Sequence, residues 1–373
     1  PFNVPFLSGN EIHYIKEAIV GRQLSGNGLF TKRCQNWFEE RYGFGKCLLT
    51  TSCTDALEMC AILCGIREGD EVIIPSYTFV STANAFELRG AKIVFADSRD
   101  DHPGINEYSV RDLVTPRTKA IVVVHYAGIA CQMDEIMNVA NEFNLFVVED
   151  AAQAIDSYFV DSDGKNVPLG SIGHFAAFSF HETKNINSGE GGMLVVNDQQ
   201  FFTRAEIIWE KGTNRSAFFR GEIDKYGWVD LGSSYLPSEV IAAFLWAQLE
   251  KIDEVQKKRI ALWEEYFEQL SGNSCFRVPE IPPFATNNAH MFYVILPNLE
   301  SRTKLIEKLR SEKIMSVFHY SSLHKSMFFA KKHQGDNLFN SDFYSDSLLR
   351  LPLYYDLSLD DVRVICDKII TLC

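Results

Sequence analysis

The residue best placed for covalent chemistry is Lys184, in a polar turn between two strand-like runs. In Phe175-Ala-Ala-Phe-Ser-Phe180 the aromatics alternate with small or polar neighbours, which predicts a half-buried strand. Gly189, Gly191 and Gly192 follow, where the backbone can take unusual dihedrals or approach another group closely. Met193 to Val196 then resumes a strand. A lysine whose stem lies against apolar walls loses solvation, so its ammonium pKa falls and the free amine becomes a nucleophile. Most hairpin lysines are ordinary solvated surface groups. Upstream, however, Leu145-Phe-Val-Val-Glu-Asp150 is a buried-strand pattern that ends in a carboxylate. A strand-end aspartate beside a strand-end lysine suits a protonated ring nitrogen and an imine-forming amine.

Those two residues need a scaffold, and the chain supplies a repeating one. Lys46–Thr51, Glu71–Pro75, Lys92–Asp97, Ala120–Tyr126 and Leu145–Asp150 read as short apolar strands separated by helical stretches. Met133–Phe143 is the clearest of those helices. Near-continuous apolar strands between helices predict a mainly parallel sheet covered on both faces. Ligands of such sheets bind beyond the carboxyl ends of the strands. Thr54, Phe79, His125, Asp150 and Lys184 all fall at strand ends or in the turns that follow. Ser52 and Thr54 are good N-caps for the apolar helix after the first strand, and its start is a natural seat for phosphate.

The remaining segments are less regular. Residues 1–30 predict an irregular arm around one short amphipathic helix near 10–20, and Thr31–Tyr42 a helix. Gly212–Tyr235 is polar, aromatic and aperiodic, and reads as a long functional loop. Ser238–Glu268 is one or two amphipathic helices leading to a C-terminal lobe. In that lobe His290–Leu296 and Ile314–Tyr320 read as strands, and Leu299–Lys313 and Asp360–Leu372 as helices. The expected organisation is an N-terminal arm with a large domain over 1–245 and a smaller α+β domain over 246–373.

Composition limits the function classes. The 373 residues carry a net charge of −13, which opposes general binding to nucleic acid or anionic membrane. No apolar run reaches membrane-spanning length, and no signal-peptide pattern is visible at the start. The nine cysteines show no metal-like pairing, and Cys60 and Cys64 sit at helical spacing among apolar residues as core thiols do. The expectation is a cytoplasmic protein without a metal.

The run Phe180-His-Glu-Thr-Lys-Asn185 with Gly189-Glu-Gly-Gly192 resembles the cofactor-lysine motif of the DegT/StrS family of nucleotide-sugar aminotransferases. Ser52-Cys-Thr-Asp-Ala56, Pro75-Ser-Tyr-Thr-Phe79, His125-Tyr-Ala-Gly128 and Glu149-Asp-Ala-Ala-Gln153 match further family motifs in order. The resemblance spans nearly the whole chain. It implies fold type I of the enzymes that depend on pyridoxal 5'-phosphate (PLP). By motif, Lys184 would form the Schiff base with PLP and Asp150 would pair with the pyridine nitrogen. Gln153 would meet the ring oxygen, Phe79 would stack on the ring, and Thr54, Asp55 and Ser179 would hold the phosphate.

Phe180–Lys184, Lys211-Gly-Thr-Asn-Arg-Ser216 and Ala289-His-Met-Phe-Tyr293 are most similar to family members that form dTDP-4-amino-4,6-dideoxygalactose. The implied reaction is amination of a dTDP-4-keto-6-deoxyhexose with L-glutamate as donor. The family also implies a homodimer with a composite site. Where its members carry an asparagine that reaches the partner's cofactor phosphate, this chain has Ser234. Three alternatives remain: a 3-keto-sugar aminotransferase, a PLP-dependent sugar dehydratase, or a nucleotide-sugar-binding protein without activity. Dehydratases of the family replace the lysine by histidine, and a degenerate scaffold would lose Lys184 or Asp150; both residues are present.

Overall fold

Seven strands form the central sheet in the computed structural model of the chain, which describes residues 1–373. The strands of the whole chain are β1 (Lys46–Thr50), β2 (Glu71–Pro75), β3 (Lys92–Ala96), β4 (Thr118–Val124), β5 (Phe146–Asp150), β6 (Tyr158–Val160), β7 (Asn166–Pro168), β8 (Phe175–Ser179), β9 (Gly192–Val196), β10 (Tyr293–Ile295), β11 (Val317–Phe318) and β12 (Leu348–Arg350). The central order is β1-β9-β8-β5-β4-β2-β3. Only β9 runs against the others, because it returns directly from the turn after β8. This is the mainly parallel α/β sheet of fold type I that the sequence predicts.

The apolar runs are continuous because both faces are buried. Leu48 and Leu49, Ile73 and Ile74, Val122 and Val123, and Val147 and Val148 divide pairwise between two separate hydrophobic clusters. A pleated strand sends successive side chains to opposite faces, so each strand feeds both cores. Fully burying one such side chain stabilises the fold by roughly 1.5–3 kcal/mol.

The helix Glu239–Leu249 packs on the helices Glu11–Val20 and Leu29–Tyr42, whereas Ile252–Leu270 packs on the C-terminal helix Leu359–Leu372. The packing partner therefore changes at the turn Glu250–Lys251. The predicted helical stretch 238–268 is thus two helices. A third cluster, with Leu262, Tyr266, Phe292 and Leu351, forms the core of the C-terminal lobe around the small sheet β10-β12-β11. Some sequence readings change in detail, and the predicted strand 290–296 shortens to Tyr293–Ile295. The predicted strand 314–320 shortens to two residues, and the aperiodic loop 212–235 contains a five-residue helix, Arg215–Phe219. Cys60 and Cys64 are buried core thiols, and no helix is long and apolar enough to cross a membrane.

Candidate active site

Because β1, β2, β4, β5 and β8 point the same way, their carboxyl ends meet along one edge of the sheet. A cleft of about 530 Å³ opens there, bordered by the C-terminal lobe. Thr54, Phe79, Asp150, Gln153, Ser179 and Lys184 all line it.

Lys184 is fixed by the backbone of its turn. Its N–H donates to His181 O at 2.9 Å, while Glu182 N–H reaches Gly189 O and Ser188 N–H reaches Phe180 O, both at 2.8 Å. Gly189 takes a positive φ of 77°, which a side chain would strain. At Gly192 a Cβ would lie 2.4 Å from Cys53 N, so only glycine lets β9 pass against the start of the helix Cys53–Leu63. Asn185 ties the turn to the C-terminal lobe through Gln256, Asn288 and His290. The Lys184 amine opens to the cleft, yet the surrounding protein desolvates it. Burial, reinforced by the Arg350 charge and opposed by Cys53 and Asp150, brings its pKa down to about 8. A far larger fraction is then free amine at neutral pH than for an exposed lysine.

Asp150 closes β5. Thr82 Oγ1 donates to its Oδ2 at 2.7 Å, Thr78 and Thr82 hydroxyls pair at 2.9 Å behind it, and Ala152 N–H meets Oδ1 at 3.2 Å. Burial raises the Asp150 pKa, while these donors and the Lys184 charge favour the carboxylate. Gln153 is held at both ends, accepting from Ala127 N–H at 2.6 Å and donating to Tyr320 OH at 3.1 Å. Phe79, just before the helix Val80–Glu87, is 54% exposed at the mouth of the cleft.

Of the three residues expected to hold a phosphate, Thr54 and Ser179 line the cleft beside the start of the helix Cys53–Leu63, and Asp55 does not. Ser52 caps the helix by accepting from Asp55 N–H at 3.1 Å. The N–H groups of Cys53 and Thr54 are left without a protein acceptor beside the Ser179 hydroxyl. The Asp55 amide serves the cap, and its carboxylate accepts from the hydroxyls of Thr51 and Ser52. His125 also lies behind the cleft, buried, with Nε2 2.9 Å from Glu149 Oε2. Glu149 in turn accepts the amides of Gly170, Ile172 and Gly173, so this pair anchors a turn.

These groups suit PLP. Unpaired helix N–H groups and a hydroxyl suit a phosphate, and a buried carboxylate with no salt bridge of its own suits a protonated ring nitrogen. An exposed aromatic face and a desolvated amine complete the set.

The C-terminal lobe contributes residues that sequence reasoning missed. Tyr320, Arg350 and His319 line the opposite wall, and His319 Nδ1 lies 3.0 Å from Tyr126 OH. His290 and His324 are structural, bound to Asn185 and Ser76. Arg220 pairs with Glu206 and Glu222, and Arg215 lies over Phe219, so both are occupied outside the cleft.

The sequence model of the DegT/DnrJ/EryC1/StrS aminotransferase family matches residues 6–370. The chain is 31% identical to the spore coat polysaccharide biosynthesis protein SpsC of Bacillus subtilis (strain 168), over 99% of this chain and 96% of that one. It is 28% identical to the GDP-perosamine synthase of Escherichia coli O157:H7, over 99% and 97%. The solved structure of the aminotransferase TlmJ from Streptoalloteichus hindustanus superimposes with a TM-score of 0.90 at 28% identity, over 100% of this chain and 98% of that one.

Proposed function

We infer the substrate from one premise: the chain belongs to the DegT/DnrJ/EryC1/StrS aminotransferase family and is a PLP-dependent sugar aminotransferase. The substrate is a nucleotide-linked 4-keto-6-deoxyhexose, the nucleotide is dTDP, and the product is dTDP-4-amino-4,6-dideoxygalactose. L-glutamate is the amino donor. A full-length relative named for GDP-perosamine, an amino sugar carried on a nucleotide, supports a nucleotide-linked substrate. The motifs around Lys184 and at 211–216 and 289–293 support the dTDP and galacto choices.

PLP, when bound, supplies an electron sink through which an amine passes from donor to keto sugar. The chain supplies the rest. The Lys184 amine takes a proton at Nζ and returns it across the cleft. Asp150 would hold the positive charge of the cofactor's ring nitrogen at the floor, with Thr82 keeping its carboxylate oriented. Gln153 is locked in place by Ala127 and Tyr320, and Phe79 presents a flat apolar face.

The working unit is a homodimer with a composite site. Trp228 is 83% exposed in the loop 212–235, with Phe219, Val229 and Leu231 exposed beside it. An apolar surface of this kind on an aperiodic loop calls for a partner to cover it. A fully active monomer by sedimentation at assay concentration would contradict the dimer.

The test is product analysis by mass and NMR after incubation with L-glutamate and either dTDP- or GDP-4-keto-6-deoxyglucose. The expected product is dTDP-4-amino-4,6-dideoxygalactose. Faster turnover of the GDP sugar, an equatorial C4 amine, or an amine at C3 would overturn the nucleotide, the stereochemistry or the position in turn.

A further inference from the structure

Three arginines in the C-terminal half are buried, Arg259, Arg302 and Arg350, and Arg259 and Arg350 are treated in opposite ways. Arg259 is 3% exposed and donates to backbone carbonyls, Ala289 O at 3.1 Å and His290 O at 2.7 Å. Arg350, at the end of β12, is 4% exposed and borders the cleft, and its side chain has no hydrogen bond and no ion-pair partner. Its Nε is buried without an acceptor. Burial lowers its pKa, with only the more distant hydroxyls of Tyr320 and Tyr126 opposing that fall. A buried guanidinium with unmet donors is costly to the fold. Arg302 also leaves its Nε unmet, but only Arg350 borders the cleft, where a ligand can meet its donors.

We propose that Arg350 receives the carboxylate of the amino-acid donor, orienting the donor's amine toward the reacting centre at Lys184. This rests on the aminotransferase reading given above, with an α-amino acid as donor. The guanidinium presents five N–H donors in a planar fork that fits a carboxylate with two parallel bonds. Phe2 lies against Arg350, with the ring centre 4.6 Å from Cζ. That contact uses the guanidinium's charge on an aromatic face and takes none of its N–H groups in a hydrogen bond. Lys184 is close enough for the Arg350 charge to disfavour its ammonium, so an anion at Arg350 is also within reach of the reacting lysine. The other anion of the site, a phosphate, has its own seat at the Cys53 and Thr54 amides.

The test separates the two halves of the reaction in PLP-loaded full-length protein. In the donor half, L-glutamate alone is added and its conversion to 2-oxoglutarate is followed. In the sugar half, protein loaded with pyridoxamine phosphate is given the keto sugar. Arg350→Gln should weaken L-glutamate by about 100-fold and change the sugar half by less than about threefold. Binding of glutarate, an unreactive dicarboxylate, measured by calorimetry should weaken in parallel. Arg350→Lys should recover roughly tenfold, since it keeps the charge and loses the fork. The thermal midpoint of Arg350→Gln should not fall, because an unpaired buried charge has been removed.

Equal loss in both halves, a loss confined to the nucleotide sugar, poorer PLP retention or a lowered midpoint would each overturn the assignment. So would unchanged use of L-glutamate. If wild-type protein transfers an amine from no α-amino acid, the functional reading falls instead, and glutarate binding still decides the role of Arg350.

Discussion

On the floor of the cleft, the buried charge of Asp150 is held by Thr82, Ala152 and the neighbouring Lys184, and Gln153 beside it is bonded at both ends. On the C-terminal wall, the buried charge of Arg350 is held by nothing but the face of Phe2. Floor groups come from the ends of parallel strands in one sheet, and the wall comes from a different lobe and core. The difference fits occupancy. A cofactor that stays bound rewards a fully oriented floor, since rigid donors need no rearrangement at each turnover. A donor that enters and leaves needs a wall whose hydrogen bonds are free to accept it.

If that contrast is right, damage to the floor should stop chemistry, and damage to the wall should weaken one substrate. The largest effect belongs to Lys184→Ala. Turnover should fall at least on the order of 10⁴-fold, as when an enzyme loses its covalent nucleophile, while the far-UV circular dichroism stays unchanged. Residual activity near that of wild type would break the comparison.

Next comes Asp150→Asn. It removes the floor's negative charge and keeps its shape, so turnover should drop about 10²–10³-fold with PLP still retained in the purified protein. Activity within a few-fold of wild type would mean that the floor's charge is structural.

The smallest effect is a pH dependence of stability. The Lys184 pKa is about 8 in the fold against 10.5 for the ordinary side chain. Between those values the unfolded chain binds more protons than the folded one, so Lys184 makes stability rise with pH across that window. Below it, the folded apoprotein carries a partly desolvated ammonium at a cost of at most roughly 3 kcal/mol. Lys184→Met should therefore unfold at higher urea than wild type near pH 7, and the gap should narrow by about pH 10. A gap that does not depend on pH would show that the amine is solvated.

How much of this was legible in the sequence follows the same division. The floor was readable because each element announces itself locally: an apolar run ending in Asp150, a Ser52 cap before an apolar helix, a glycine-rich turn after Lys184. The wall was not. Leu348-Leu-Arg-Leu-Pro-Leu353 reads as a buried strand with one misplaced charge, and only the pairing of β12 with β10 and β11 brings Arg350 to the cleft. Thr82 was hidden for another reason. It lies within the helix Val80–Glu87, where a threonine has no local signature, and meets Asp150 across 68 positions. Asp55 shows the limit of reading roles from a motif, since one turn of capping by Ser52 takes its amide away from the cleft. The helix Arg215–Phe219 is too short to show a period, so the surrounding stretch looked uniformly irregular.

The central claim is that Lys184 is the residue that carries PLP on a floor built to hold it. Borohydride reduction of the purified yellow protein, followed by digestion and peptide mass spectrometry, tests it directly. The account predicts the pyridoxyl phosphate mass on the peptide containing Lys184 and on no other lysine peptide. A label on a different lysine, or none on protein that still turns over substrate, would contradict it.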